Sequence, residues 1–73
     1  MNSKVFTTRK TTEFEKRVFQ YLNDLRLSGE TNMFGAGQYI ERKFKISKRY
    51  ASELLDSWMF NFSDIGDYDE IAV

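Results

Sequence analysis

The stretch GETNMFGAGQYIERKFKISKRYASELLDSWM, residues 29–59, holds two helical patterns joined across a short KIS junction. Met33, Gly37, Ile40 and Phe44 fall along one side at about 100° per residue, which predicts a helix near 32–44 with Thr31 or Asn32 as its N-cap. Ser47 is placed to cap a further helix near 47–62, with Ala51, Leu54, Leu55, Trp58 and Phe62 as its apolar stripe. Helix-turn-helix units have this order of apolar positions, because two helices must share one core across a turn of three or four residues. Two positions depart from it: Lys45 opens the turn where glycine is usual, and Glu41 stands where a small residue lets the helices approach. Each interior glycine costs about 1 kcal/mol against alanine. Gly35 and Gly37 therefore imply either a small surface, shared with Ala36, on which an aromatic ring can sit, or an irregular first turn. A phosphate loop is excluded, since GAGQYI lacks the third glycine of a dinucleotide fingerprint and has no Walker lysine and hydroxyl.

Working outward, Thr12-Glu13-Phe14-Glu15 fits a capping box that opens a helix near 12–28, and Ser28-Gly29 closes it. Phe14, Val18, Tyr21, Leu22 and Leu25 recur along it at three- and four-residue steps. Residues 1–11 are polar, basic and without helical period, and read as a flexible basic arm. Residues 63–73 carry Asp64, Asp67, Asp69 and Glu70 with no helical stripe, and read as a mobile acidic tail, although Ile65, Tyr68 and Ile71 offer apolar points for docking. The expected architecture is thus all-α: a small three-helix bundle with helix-turn-helix-like geometry over 12–62, between the arm and the tail. Its expected core is Phe14, Val18, Leu22, Leu25, Ile40, Phe44, Ala51, Leu54, Leu55 and Trp58.

Composition removes several chemistries. The chain of 73 residues has no cysteine and no histidine, so disulfides, Cys/His zinc sites, cysteine nucleophiles and histidine acid-base catalysis have no residues to use. The carboxylates of the expected tail lie on a segment read as too mobile for catalytic register, and they miss the calcium-loop spacing. No catalytic residues, metal ligands or cofactors are expected. No apolar run has the length of a signal peptide or a membrane span, so the expectation is a soluble protein of the cytoplasm that makes no membrane contact. Seven Phe, four Tyr and Trp58 supply large buried area per side chain, which suits a core this small. Net charge is zero but divided: residues 1–49 hold all eleven bases against five acids, and residues 50–73 hold six acids and no base. The acidic tail is placed to screen the basic body or, more blandly, to keep the protein soluble.

Two binding functions fit these features. For duplex DNA, Arg42, Lys43, Lys45, Lys48 and Arg49 surround the turn as phosphate contacts, and Arg49 and Ser52 face base edges. Glu53 and Asp56 project from the same helix close to Arg49, where they would meet the backbone charge. For a protein partner, Phe34, Tyr39, Met59 and Phe60 lie off or beside the core stripes, and with Arg42 and Arg49 they have the composition of an aromatic and arginine interface. Protein binding is the leading expectation and helix-turn-helix DNA binding the alternative. The expected oligomeric state is a monomer or weak homodimer.

Leu25, Arg26, Ser28, Gly29, the run Thr31 to Ala36, and then Leu55, Trp58 and Met59 carry a resemblance over about half of the chain. Here the sequence resembles a group of small bacteriophage proteins, common among phages of marine bacteria, with a Ser-Gly-x-Thr-Asn-Met-Phe-Gly-Ala motif and a Leu-x-x-Trp-Met helix end. Gly37 departs from that pattern, where a larger residue or proline is expected. The resemblance implies a phage origin, a compact helical fold and action inside an infected host cell. It brings no activity with it, but small phage products of this kind commonly regulate transcription or bind a host or phage protein.

Overall fold

The structure, a computed structural model, describes residues 7–72. Three helices carry most of the chain: α1 (Glu13–Ser28), α2 (Gly37–Phe44) and α3 (Lys48–Phe60). A two-stranded antiparallel ribbon pairs β1 (Thr8–Lys10), which precedes α1, with β2 (Glu70–Ala72), which follows α3. Arg9 lies opposite Ile71 in its register.

The capping box forms as its residues dictate. The Glu15 amide donates to the Thr12 hydroxyl at 3.1 Å, and the Thr12 amide donates to the Glu15 carboxylate at 2.9 Å. Glu15 also takes both guanidinium nitrogens of Arg9, at 2.9 and 2.6 Å, which ties β1 to the first turn of α1. Paired with Arg9, the Glu15 carboxyl is pulled from 4.5 down to about 2. Gly29 ends α1 in the left-handed region at φ 71°, which glycine adopts without a Cβ penalty.

The second expected helix is shorter than its periodicity implies. A single 3₁₀ turn, Met33–Gly35, is capped by the Asn32 side chain, which accepts from the Gly35 amide at 3.1 Å, and α2 begins only at Gly37. A Cβ added at Gly37 would meet nothing within 4 Å, so no aromatic ring sits on it. Ala36, fully buried, is the small residue that the packing uses. The glycines thus mark the irregular turn. α3 likewise stops at Phe60 rather than 62, and Phe62 folds back onto Trp58, ring centres 5.3 Å apart.

Eight of the expected core residues are buried: Val18, Leu22, Leu25, Ile40, Ala51, Leu54, Leu55 and Trp58. Phe14 and Phe44 instead pack half-buried against each other at the edge of the core, 5.6 Å apart and edge to face. Phe19, Ala36, Tyr68 and Ile71 complete the core.

Tyr68 and Ile71 correct the reading of both chain ends. Residues 63–72 form a strap that runs back along α1 instead of a mobile acidic tail. Asn23 donates to the Ser63 carbonyl at 2.8 Å, Gln20 to the Gly66 carbonyl at 2.7 Å, and Lys16 pairs with Asp69 at 3.3 Å. The three contacts step back along α1 as the strap moves forward. The side chain of Asn61 brackets the backbone of Ala72, accepting from its amide at 2.8 Å and donating to its carbonyl at 3.3 Å, as a neighbouring strand would. The expected flexible arm of residues 1–11 is likewise strand over Thr8–Lys10, and the Thr11 amide donates to the Asp69 carbonyl at 3.0 Å. Residues 1–6 of that arm lie outside the described residues. The fold is therefore mostly helical with a small sheet, not all-α.

One polar residue joins α1, α3 and the strap. The Asn23 side-chain carbonyl accepts from the Trp58 indole N–H at 2.8 Å and from the Tyr68 hydroxyl at 2.6 Å. The same Tyr68 oxygen accepts from the Ser63 amide at 3.1 Å. Trp58 and Tyr68 can be buried because each polar tip finds a partner.

Candidate interaction surface

A tight turn, Lys45 to Ser47, joins α2 to α3. Lys45 occupies the left-handed region at φ 56° and ψ 50°, the conformation for which glycine is usual there. The Ile46 amide donates back to the Glu41 carbonyl at 3.3 Å, which closes α2 in the manner of a Schellman turn, and Ile46 packs on the core. Ser47 then opens α3, accepting from the Tyr50 amide at 3.1 Å. Lysine bears the strain of the turn because local closure and the anchoring of Ile46 hold the backbone there.

The bases around this turn are exposed: Arg42, Lys43, Lys45, Lys48 and Arg49. Arg49 pairs with Glu53 one turn along at 3.7 Å. The Arg42 guanidinium lies over the Tyr39 ring at 5.5 Å, and the Lys43 ammonium over the Tyr21 ring at 5.4 Å. Among the described residues no carboxylate lies within 4.0 Å of Arg42, Lys43, Lys45 or Lys48. The acidic segment does not screen them as a mobile tail would, since it is fastened along α1 and Lys16 is the base its carboxylates pair with. The outward stripe of α3 is of mixed character: Arg49, Glu53, Asp56 and Phe60 recur at three- and four-residue steps, all exposed.

A second feature lies between the 3₁₀ turn, α2 and α3. A groove of about 220 Å³ is lined by Phe34, Gln38, Glu41, Lys48, Ser52 and Leu55. Phe34 stands at it with 88% of its surface exposed, on the turn that Asn32 caps. The fixed backbone beneath makes the ring a presented side chain rather than one on a slack loop.

The expected partner residues do not form one patch. Tyr39 follows Gln38 by about 100° on α2 and turns to the opposite flank from Glu41, away from this groove, with Arg42 stacked on it. Tyr39 and Met59 are half-buried against the core, and Phe60 belongs to the outward stripe of α3. Of the expected base-contacting residues, Ser52 and Lys48 line the Phe34 groove and Arg49 lies on the outward stripe. Sequence reading missed the groove because its walls are polar side chains with no shared motif. The one legible signal was Phe34, off the stripe of its helix.

No protein-family model matches the chain, and neither a characterised protein nor a solved structure is significantly similar to it. Among the described residues no helix is long and apolar enough to cross a membrane.

Proposed function

We propose that the protein is a small non-enzymatic regulator that binds a protein partner through the groove headed by Phe34. The observation that carries this reading is the exposure of Phe34 on a capped, hydrogen-bonded turn beside Leu55 and a rim of Gln38, Glu41, Lys48 and Ser52. A large aromatic held in water on a rigid support, with polar groups around it, has the make-up of an interface anchor. The resemblance to small phage proteins, which runs through Thr31 to Ala36, supports a host or phage protein as that partner. Recovery of partners on an immobilised copy tests it. Phe34→Ser should leave the melting temperature unchanged and abolish a capture that survives nuclease treatment; capture by the variant equal to that of the parent chain would end the proposal.

Duplex DNA is the second reading, favoured by the glycine-like conformation of Lys45 and by Arg42, Lys43, Lys45 and Lys48, which have no carboxylate within 4.0 Å among the described residues, whereas Arg49 is paired with Glu53. Random duplex bound with an affinity that falls steeply as salt rises would establish it, since released counterions give that slope. Under this reading Lys48→Glu abolishes binding and Phe34→Ser does not.

A further inference from the structure

The strap begins with a turn that displays an isoleucine. The Gly66 amide donates to the Ser63 carbonyl at 3.0 Å and the Asp67 amide to the Ser63 hydroxyl at 3.0 Å. From α1, Asn23 and Gln20 clamp the Ser63 and Gly66 carbonyls. Yet Ile65, at the tip, is 85% exposed, between the exposed carboxylates of Asp64 and Asp67. Its backbone is thus set, and the cost of ordering such a projection for binding is already met.

Beside it, between α1 and α2, runs a groove of about 400 Å³. Tyr21 and Phe44, edge to face at 5.7 Å, form its floor; Lys16, Arg17 and Lys43 wall it, with Asp24 as the single acid. Lys16 is engaged by Glu13 and Asp69, at 3.7 and 3.3 Å. Among the described residues neither Arg17 nor Lys43 has a carboxylate within 4.0 Å. An apolar floor beside Arg17 and Lys43, which no carboxylate pairs among the described residues, is the complement of an apolar tip between Asp64 and Asp67, which no base pairs there.

The placement of the two makes them self-complementary. Gln20 bonds the turn at Gly66 and also lines the groove, so projection and groove stand at the same height on α1, on either side of its outward ridge. A two-fold axis parallel to α1 and passing outside that ridge exchanges its sides, laying the projection of each copy on the groove of the other. A two-fold axis across the ridge would set projection against projection. We propose that this face of α1 is a homodimer interface, in which Ile65 of one copy enters the Tyr21–Phe44 groove of a second while Asp64 and Asp67 meet Arg17 and Lys43. Contacts of this size give weak association, visible at high concentration and sensitive to salt.

Sedimentation equilibrium on the full chain tests it, at up to about 1 mM protein and at about 0.05 and 0.5 M salt. The chain should dimerise, several-fold more weakly at the higher salt. Ile65→Ser should weaken association at least tenfold with unchanged thermal unfolding, and Phe34→Ser should associate as the parent chain does, which separates this interface from the groove of the proposed function. Two charge-reversed chains are decisive: one with Asp64→Lys and Asp67→Lys, the other with Arg17→Glu and Lys43→Glu. Each should be monomeric alone, and an equal mixture should form a heterodimer, because both contacts are restored in it. A parent chain that is monomeric at about 1 mM overturns the proposal. So does a mixture of the two folded variants that remains monomeric.

Discussion

Asn23→Ala should cost the domain a substantial part of its stability. The substitution leaves the Trp58 indole N–H without its acceptor, removes the Asn23 donor from the Ser63 carbonyl, and leaves the Tyr68 hydroxyl only that carbonyl, at 3.1 Å, as its acceptor. Trp58 and Tyr68 are 3% and 2% exposed, so water cannot replace the lost partner without opening the core. A buried donor left unpaired costs about 1–3 kcal/mol and a hydrogen bond lost beside it about 0.5–1.5 kcal/mol, which together give about 1.5–4.5 kcal/mol. A chain of this length has a total stability of roughly 4–10 kcal/mol, so the variant should lose a substantial part of it. In a domain this small each kcal/mol lowers the midpoint by about 4–8 °C, so the fall should exceed about 6 °C. Urea and thermal unfolding, followed by Trp58 fluorescence and far-ultraviolet circular dichroism together, measure it. Tyr68→Phe, which removes only the hydroxyl, should cost about 1–2 kcal/mol, and the double variant should show a coupling above about 0.5 kcal/mol. Additive losses, or an Asn23→Ala variant within about 1 kcal/mol of the parent, would refute a strap held through this hub.

Lys45→Gly should raise stability by about 0.5–1 kcal/mol, because the left-handed backbone strains lysine by about 1–2 kcal/mol and glycine gives back part of that gain as extra freedom in the unfolded chain; chemical denaturation reads the difference. Gly37→Ala, at a site with open space and ordinary backbone, should stabilise by up to about 1 kcal/mol in the same assay. The Glu15 carboxyl titrates lower in the folded chain than in the unfolded one, so its contribution is fully present above about 4.5 and is lost as pH falls from there through about 2. Glu15→Gln should therefore flatten the acid limb of the stability profile between those values and leave its shape near neutral pH unchanged.

The helices were legible because each carries its signal within a few residues: the capping box at Thr12, Ser47 before α3, and apolar steps of three and four. The chain ends were not, since what fixes them is distant in sequence. Nothing around Tyr68 announces that its hydroxyl will reach Asn23, 45 positions earlier. The omission of Phe19 from the expected core has the same origin. On α1 it lies one step beyond the Val18 stripe, on the flank where the strap packs, and its main aromatic neighbour is Tyr68 at 5.2 Å. Once the strap is taken for a mobile tail, Phe19 has nothing to be buried against. The break between α2 and α3 was read from the apolar order and the Ser47 cap, and the structure shows why a lysine rather than a glycine is tolerable at Lys45. For the surfaces, residue type identified Phe34 and the basic cluster, but which of them share a face depends on where α2 begins, and the glycines hid that.

Docking of the strap also changes the meaning of the charge division. A mobile acidic tail would sample the basic surface and average the field to near neutrality over a few residues of linker. Fastened along α1 by Asn23, Gln20 and Lys16, its carboxylates keep a fixed position, and the bases of the α2–α3 turn keep theirs. The protein is thus neutral in sum and polar in shape, with opposite fields held apart by the packing of Tyr68 and Ile71. Such a molecule has charged regions that extend about one Debye length, roughly 8 Å at physiological salt, and orient an approaching partner before contact. If the basic turn guides the partner, Tyr68→Phe, which loosens the strap without touching a surface charge, should reduce the association rate at low salt and leave it unaltered at about 0.5 M, where the field is screened. An association rate equal to that of the parent at both ionic strengths would show that the separation of charge has no part in binding, and that the Phe34 contact alone selects the partner.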